Sequence, residues 1–105
     1  MNLGKLLIVG VAMCLSTLAH AKPARCFTTD DGYYQCDFRG LDSGGSFRLS
    51  ARGYPTYTLN VENGFAFGTM TLSGNSVSLP GRYVRSPDDG ACWQNPETNT
   101  KICAW

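Results

Sequence analysis

Turn-forming residues follow one another so closely along this chain that no helix of ordinary length fits between them. After Lys22 come Asp30-Asp31-Gly32, Gly44-Gly45, Gly53-Tyr54-Pro55, Asn63-Gly64, Ser73-Gly74-Asn75, Pro80-Gly81, Pro87-Asp88-Asp89-Gly90 and Asn95-Pro96. The segments between them alternate apolar and polar residues and are rich in aromatic and β-branched side chains, which is the period of a half-buried strand. Phe47, Leu49 and Ala51 face one way and Ser46, Arg48 and Ser50 the other; Tyr57, Leu59 and Val61 repeat the pattern. The expected fold class is all-β: a small antiparallel meander of seven or eight short strands, curled into a compact barrel or sandwich and held by two disulfides. Asn63-Gly64 is the strongest hairpin signal, because both residues tolerate the positive φ of a tight turn. Between Phe65-Phe67 and Met70-Leu72 the apolar parity changes, so Gly68 reads as a bulge. Pro80-Gly81 marks 82–85 as an edge or bent strand.

Residues 1–21 have a different character. One cation, Lys5, precedes an apolar run from Leu6 to Leu18, and Ala19-His20-Ala21 supplies small residues where a signal peptidase cuts. The run is short for a membrane anchor. The expectation is a cleaved signal peptide (1–21), a single disulfide-stapled β domain (22–105), and an exported protein in the periplasm or outside the cell. A lipoprotein signal ending at Cys14 is the alternative. Removal of the leader takes away His20, the chain's one histidine, and Cys14, one of its five cysteines. Cys26, Cys36, Cys92 and Cys103 remain, an even set suited to disulfides in a domain too small to rely on its core alone. Four cysteines allow three connectivities. A three-residue loop at Asp30–Gly32 sets Cys26 opposite Cys36, and a four-residue loop at Pro96–Asn99 sets Cys92 opposite Cys103. That pairing is preferred, with the other two open.

These residues exclude several functions. Lys5 is one of nine Lys and Arg, so eight cations face eight Asp and Glu after the leader. A neutral chain with scattered arginines has no basic stripe for nucleic acid and no polybasic cluster for anionic lipid, and no membrane insertion is expected once the leader is gone. Histidine-based catalysis, a free thiolate and a Cys/His zinc set are all unavailable, so no catalytic residue, cofactor or metal is expected. Asp30-Asp31 and Asp88-Asp89 each precede a glycine and read as turns; a weak Ca²⁺ site or a carboxylate-dependent hydrolase is the lesser alternative.

The aromatic residues are the remaining signal: five Phe, five Tyr and two Trp. Most fall on the inward parity. Tyr33 and Tyr34 point to opposite faces, and Trp105 ends the chain, so each group offers an exposed ring for a sugar or a protein partner. The expected interaction surface is Arg82, Tyr83, Arg85, Asp88, Asp89, Trp93 and Trp105. Gly81-Arg82-Tyr83, followed by Trp93 and a cysteine near the C-terminus, resembles a short stretch of the small periplasmic inhibitors of c-type lysozyme. Pro80 stands where that family has serine, and no Lys-Gly pair follows Trp93, so the resemblance transfers no site residues. The leading expectation is a non-enzymatic exported binding module for a protein or glycan. The alternatives are a structural or stress-related envelope protein and a lysozyme-inhibitor-like protein.

Overall fold

The computed structural model describes residues 21–105; residues 1–20, with Cys14, His20 and nearly all of the expected leader, lie outside the described residues. Nine strands follow one another: β1 Lys22–Thr28, β2 Gly32–Gly40, β3 Phe47–Ser50, β4 Thr56–Glu62, β5 Phe65–Leu72, β6 Asn75–Ser78, β7 Tyr83–Arg85, β8 Cys92–Asn95 and β9 Thr100–Ala104. Every pairing is antiparallel. Eight strands close a ring in the order β1-β2-β3-β4-β5-β7-β8-β9, with β9 returning to β1 through Ile102 opposite Thr28. The all-β architecture is therefore a barrel, not a sandwich. The ninth strand, β6, lies outside the ring and pairs with β5 alone.

Alternation along the strands fills the barrel. Cys26, Tyr34, Cys36, Phe47, Leu49, Tyr57, Leu59, Ala66, Tyr83, Trp93 and Ile102 form one buried cluster. Leu49 and Leu59 are completely enclosed, each contributing about 2 kcal/mol by removal from water. The turns carry the backbone that their residues permit. Asn63 and Gly64 both have positive φ, as do Ser73 and Gly74, which makes two tight two-residue hairpins.

The disulfides are Cys26–Cys36, joining β1 to β2, and Cys92–Cys103, joining β8 to β9. The second has the expected register, with Cys92 directly opposite Cys103. The first does not: Cys26 faces Tyr34 and Cys36 faces Ala24, so the bridge is diagonal. The loop is Thr29–Asp31, because Thr28 Oγ1 accepts from the Asp31 amide at 2.9 Å and donates to Asp31 Oδ2 at 2.8 Å. That interlock makes Gly32 the first residue of β2. Since the register moves by two residues, every side chain keeps its face.

Two further expectations are corrected. Gly68 is not a bulge, since β5 pairs with β4 without interruption from Phe65 opposite Glu62 to Thr71 opposite Thr56. Gly68 is an inward position where a Cβ would lie 2.8 Å from Leu79 Cδ1 and 3.4 Å from Tyr83 Cε1; the missing side chain makes room for both. The edge strand is β6, not the 82–85 segment. β7 is bonded on both sides, to β5 and to β8.

Candidate binding surface

β1, β2 and β9 send Cys26, Tyr34 and Ile102 inward, so Arg25, Phe27, Tyr33 and Lys101 must point outward. Closure of the barrel adds Trp105 to this face. Arg25 and Trp105 exchange both backbone hydrogen bonds, at 3.0 and 2.9 Å, which extends the β1–β9 ladder one step beyond Ala104. The result is a cross-strand aromatic platform. The ring centroids of Phe27 and Tyr33 are 4.8 Å apart, and those of Tyr33 and Trp105 are 6.0 Å apart with their planes inclined by 30°. The Arg25 guanidinium lies 4.5 Å from the Tyr33 ring and 6.0 Å from that of Trp105, and the Lys101 ammonium lies 5.5 Å from Phe27. Tyr33 is 60% exposed and Trp105 47%, although large rings normally seek cover.

Asp89 holds Trp105 in place. Its Oδ2 accepts from the indole Nε1 at 2.9 Å, and its Oδ1 accepts from the Ala91 amide at 2.9 Å. The Ala91 bond first, then the indole bond and the charge of Lys101, hold the Asp89 carboxyl below the usual aspartate range. Beside the platform, a groove of about 630 Å³ shares Phe27 and Lys101 with it and is otherwise lined by Pro96 and by polar residues, among them Thr29, Gln94 and Asn99.

The residues expected to form the interaction surface do not all meet. Trp105 and Asp89 do. Tyr83 and Trp93 are 4% and 3% exposed and belong to the core, so they offer no surface ring. Arg85 spreads over Trp93 at 4.3 Å and donates to the Gly90 carbonyl, so it covers a core ring and is not part of the platform. Arg82 covers Phe65 at 4.0 Å on the outer wall. Asp88 is exposed in its turn. Alternation placed one of Tyr33 and Tyr34 on the outer face, and that ring is Tyr33, but local pattern could not find Arg25. Only the return of β9 to β1 brings residue 25 beside residue 105.

The other acidic doublet serves the interior. Asp31 Oδ2 accepts from Tyr57 Oη at 2.7 Å as well as from Thr28 Oγ1. Burial, reinforced by Asp31, pushes the Tyr57 phenol well above its ordinary value. Burial, with Asp31 and Tyr54 nearby, pushes Tyr34 up to about 12. The Tyr34 hydroxyl has no hydrogen-bond partner among the described residues. Among those residues there is also no group of three or more His, Cys, Asp or Glu able to hold a metal ion.

Five of the eight cations, Lys22, Arg25, Arg82, Arg85 and Lys101, lie over aromatic rings. A cation so held gains modest attraction from the ring and keeps its positive charge available to a ligand. Comparison with protein-family models, characterised proteins and solved structures finds no match for this chain.

Proposed function

We propose that this protein is a non-enzymatic binding module of an exported, oxidising compartment, and that it docks a partner protein through the platform of Tyr33, Arg25 and Trp105. The observation that carries the reading is the arrangement of those three side chains: two largely exposed rings held around one guanidinium on a rigid sheet. Tyr, Trp and Arg are the residues that dominate binding energy at protein interfaces, and strand-mounted rings lose little freedom on binding. The charge on Arg25 favours a partner with carboxylates at the centre of its own patch. Two disulfides support an oxidising setting, and the signal-peptide pattern of residues 1–21 in the sequence supports export.

The polar groove beside Phe27 favours a glycan as the second reading, because amide and hydroxyl groups next to an exposed ring suit a sugar. Protein recovered from the producing cell, immobilised and offered extracytoplasmic extract and a glycan array, separates the two. Saturable capture of one protein that is lost in Tyr33→Ala and in Arg25→Glu, and that weakens with salt, supports the protein reading. Array binding lost in the same variants moves the ligand to a glycan. Retention that ignores both substitutions refutes the platform.

A further inference from the structure

The two disulfides lie on opposite faces of the barrel wall. Cys26 and Cys36 belong to the core cluster. Cys92 and Cys103 do not, although each adjoins a residue that does: Trp93 and Ile102 point inward, so their neighbours point out. The pairings then set four side chains in one row across the outer face. Cys92 is opposite Cys103, Cys103 is opposite Phe27, and Phe27 is opposite Tyr33. The row that starts as a cystine on β8 and β9 ends as platform rings on β1 and β2.

An outward cystine ordinarily meets water, yet Cys92 is 3% exposed and Cys103 1%. Its surroundings on that face are the platform: Phe27 beside it on β1, with Lys101 and Trp105 at the alternate positions on either side along the chain. Asp89, in the loop before Cys92, holds the Trp105 indole at 2.9 Å. A second side-chain link thus joins the same two segments that the disulfide joins.

This enclosure opens more readily than the core. Trp105 is the last residue, 47% exposed, held by the indole bond and by its two backbone bonds to Arg25. Fraying there uncovers Cys103 while the barrel stays folded, whereas Cys26–Cys36 meets solvent only when the core itself opens.

We propose that Cys92–Cys103 is a redox control on the binding platform: with Trp105 lifted, a dithiol reductant opens this cystine, and the reduced protein no longer holds the platform rings together. A thiolate of the reductant attacks one protein sulfur, and the S–S bond breaks with its electron pair on the other. The reductant's second thiol resolves the mixed disulfide, so the reductant leaves as a disulfide and Cys92 and Cys103 both end as thiols. Without the bridge, the Asp89–Trp105 bond must hold the indole unaided, and Arg25 and Tyr33 lose their partner ring as Trp105 frays. A bound partner covers Trp105 and closes the route to the sulfurs, so partner and reductant compete. The control rests on the platform reading above, but selective reduction is measured without any partner, so the two fail separately.

Protein recovered from the producing cell is incubated with dithiothreitol in mildly alkaline buffer, alkylated at intervals and mapped by mass spectrometry. Cys92 and Cys103 should be alkylated about tenfold faster than Cys26 and Cys36, or more. Asp89→Ala and Trp105→Ala should each speed the first pair about tenfold and leave the second within about twofold. Arg82→Ala, outside the platform, should change neither. In the half-reduced protein the Trp105 indole N–H resonance should move toward that of a free indole while the Trp93 resonance stays, which loss of a merely stabilising crosslink would not produce. Reduction of both cystines together, or of Cys26–Cys36 first, overturns the proposal in the unaltered protein, however the variants fold. So does a Trp105 resonance that ignores selective reduction. Partner capture that depends on Tyr33 but survives selective reduction overturns the control and leaves the platform reading standing. Selective reduction with no Tyr33-dependent capture overturns the platform reading and the control with it.

Discussion

Two tyrosines of the buried cluster should respond in opposite ways to loss of their hydroxyls. Tyr57 Oη donates to Asp31 Oδ2 at 2.7 Å, a short bond to a carboxylate that also anchors the Thr28 turn. Hydrogen bonds to such groups contribute about 1.5–3 kcal/mol, so Tyr57→Phe should lower the unfolding free energy by that amount. The Tyr34 hydroxyl is buried with no partner among the described residues, while its ring stacks on Tyr54 at 4.2 Å. Tyr34→Phe keeps the stack and removes a desolvated polar group, so it should be neutral or stabilise by about 1 kcal/mol. Urea unfolding of both variants, read by tryptophan fluorescence and compared at constant m, measures the difference. Alkaline titration gives a second reading. Tyr34 is raised from 10.0 to about 12, so the stability tied to its neutral form is complete below pH 10 and drains away as pH rises through 12. Tyr34→Phe should remove that part of the alkaline loss and leave the part that Tyr57, also raised by burial, contributes. A cost of about 1 kcal/mol or more for Tyr34→Phe would refute the reasoning, because it would mean that the hydroxyl has a partner.

Three further outcomes follow from the same geometry. Asn95 is fully buried; its Nδ2 donates to the Pro80 carbonyl at 2.7 Å and its Oδ1 accepts from the Glu97 and Thr98 amides, so Asn95→Ala should cost about 2–4 kcal/mol in chemical denaturation. The Asp89 carboxyl is held below its ordinary range, so its grip on Trp105 is present above that range and is lost as pH falls through the lowered value. The Trp105 indole N–H resonance should titrate below the usual aspartate midpoint, and Asp89→Asn should abolish the step. Each disulfide closes a short loop, with separations of 10 and 11 residues, so replacing either cystine by two serines should cost about 3 kcal/mol, measured as a shift in thermal midpoint without loss of the all-β circular dichroism.

The strands were legible because their turns are chemically explicit. Asn63-Gly64 and Ser73-Gly74 can take positive φ, and the runs beside them alternate, so hairpin positions follow from local rules. Closure was not legible. Whether the meander becomes a barrel or a sandwich depends on β9 finding β1, a contact between residues far apart in sequence that no local pattern encodes. The β1–β2 register was missed for a local reason. Asp30-Asp31-Gly32 has the composition of a turn, but the Thr28 hydroxyl captures Asp31 and moves the loop back by one residue. Gly68 misled through its surroundings: apolar residues on both faces of β5 imitate a parity change, and one of those faces is the exposed side that bears Phe67.

The surface followed the same division. The alternation of Tyr33 and Tyr34 shows from sequence alone that one ring leaves the core, whereas the exposure of Trp105 is settled by the ladder that joins it to Arg25 on the outer face. The segment from Arg82 to Trp93 looked like a patch because its residues are close in the chain. Strands reverse that intuition, since Arg85 and Trp93 face each other across β7 and β8 on the inward parity, where Trp93 becomes core and Arg85 its cover. Proximity in a barrel comes from neighbouring strands, so the cation that completes the platform is Arg25, eighty residues from Trp105 in the chain yet bonded to it through two backbone hydrogen bonds. Those bonds fix the exposed rings to the closing seam of the sheet. A ligand at the platform would therefore bridge the seam and resist opening of β1 from β9, so that its affinity and the stability of the barrel rise together.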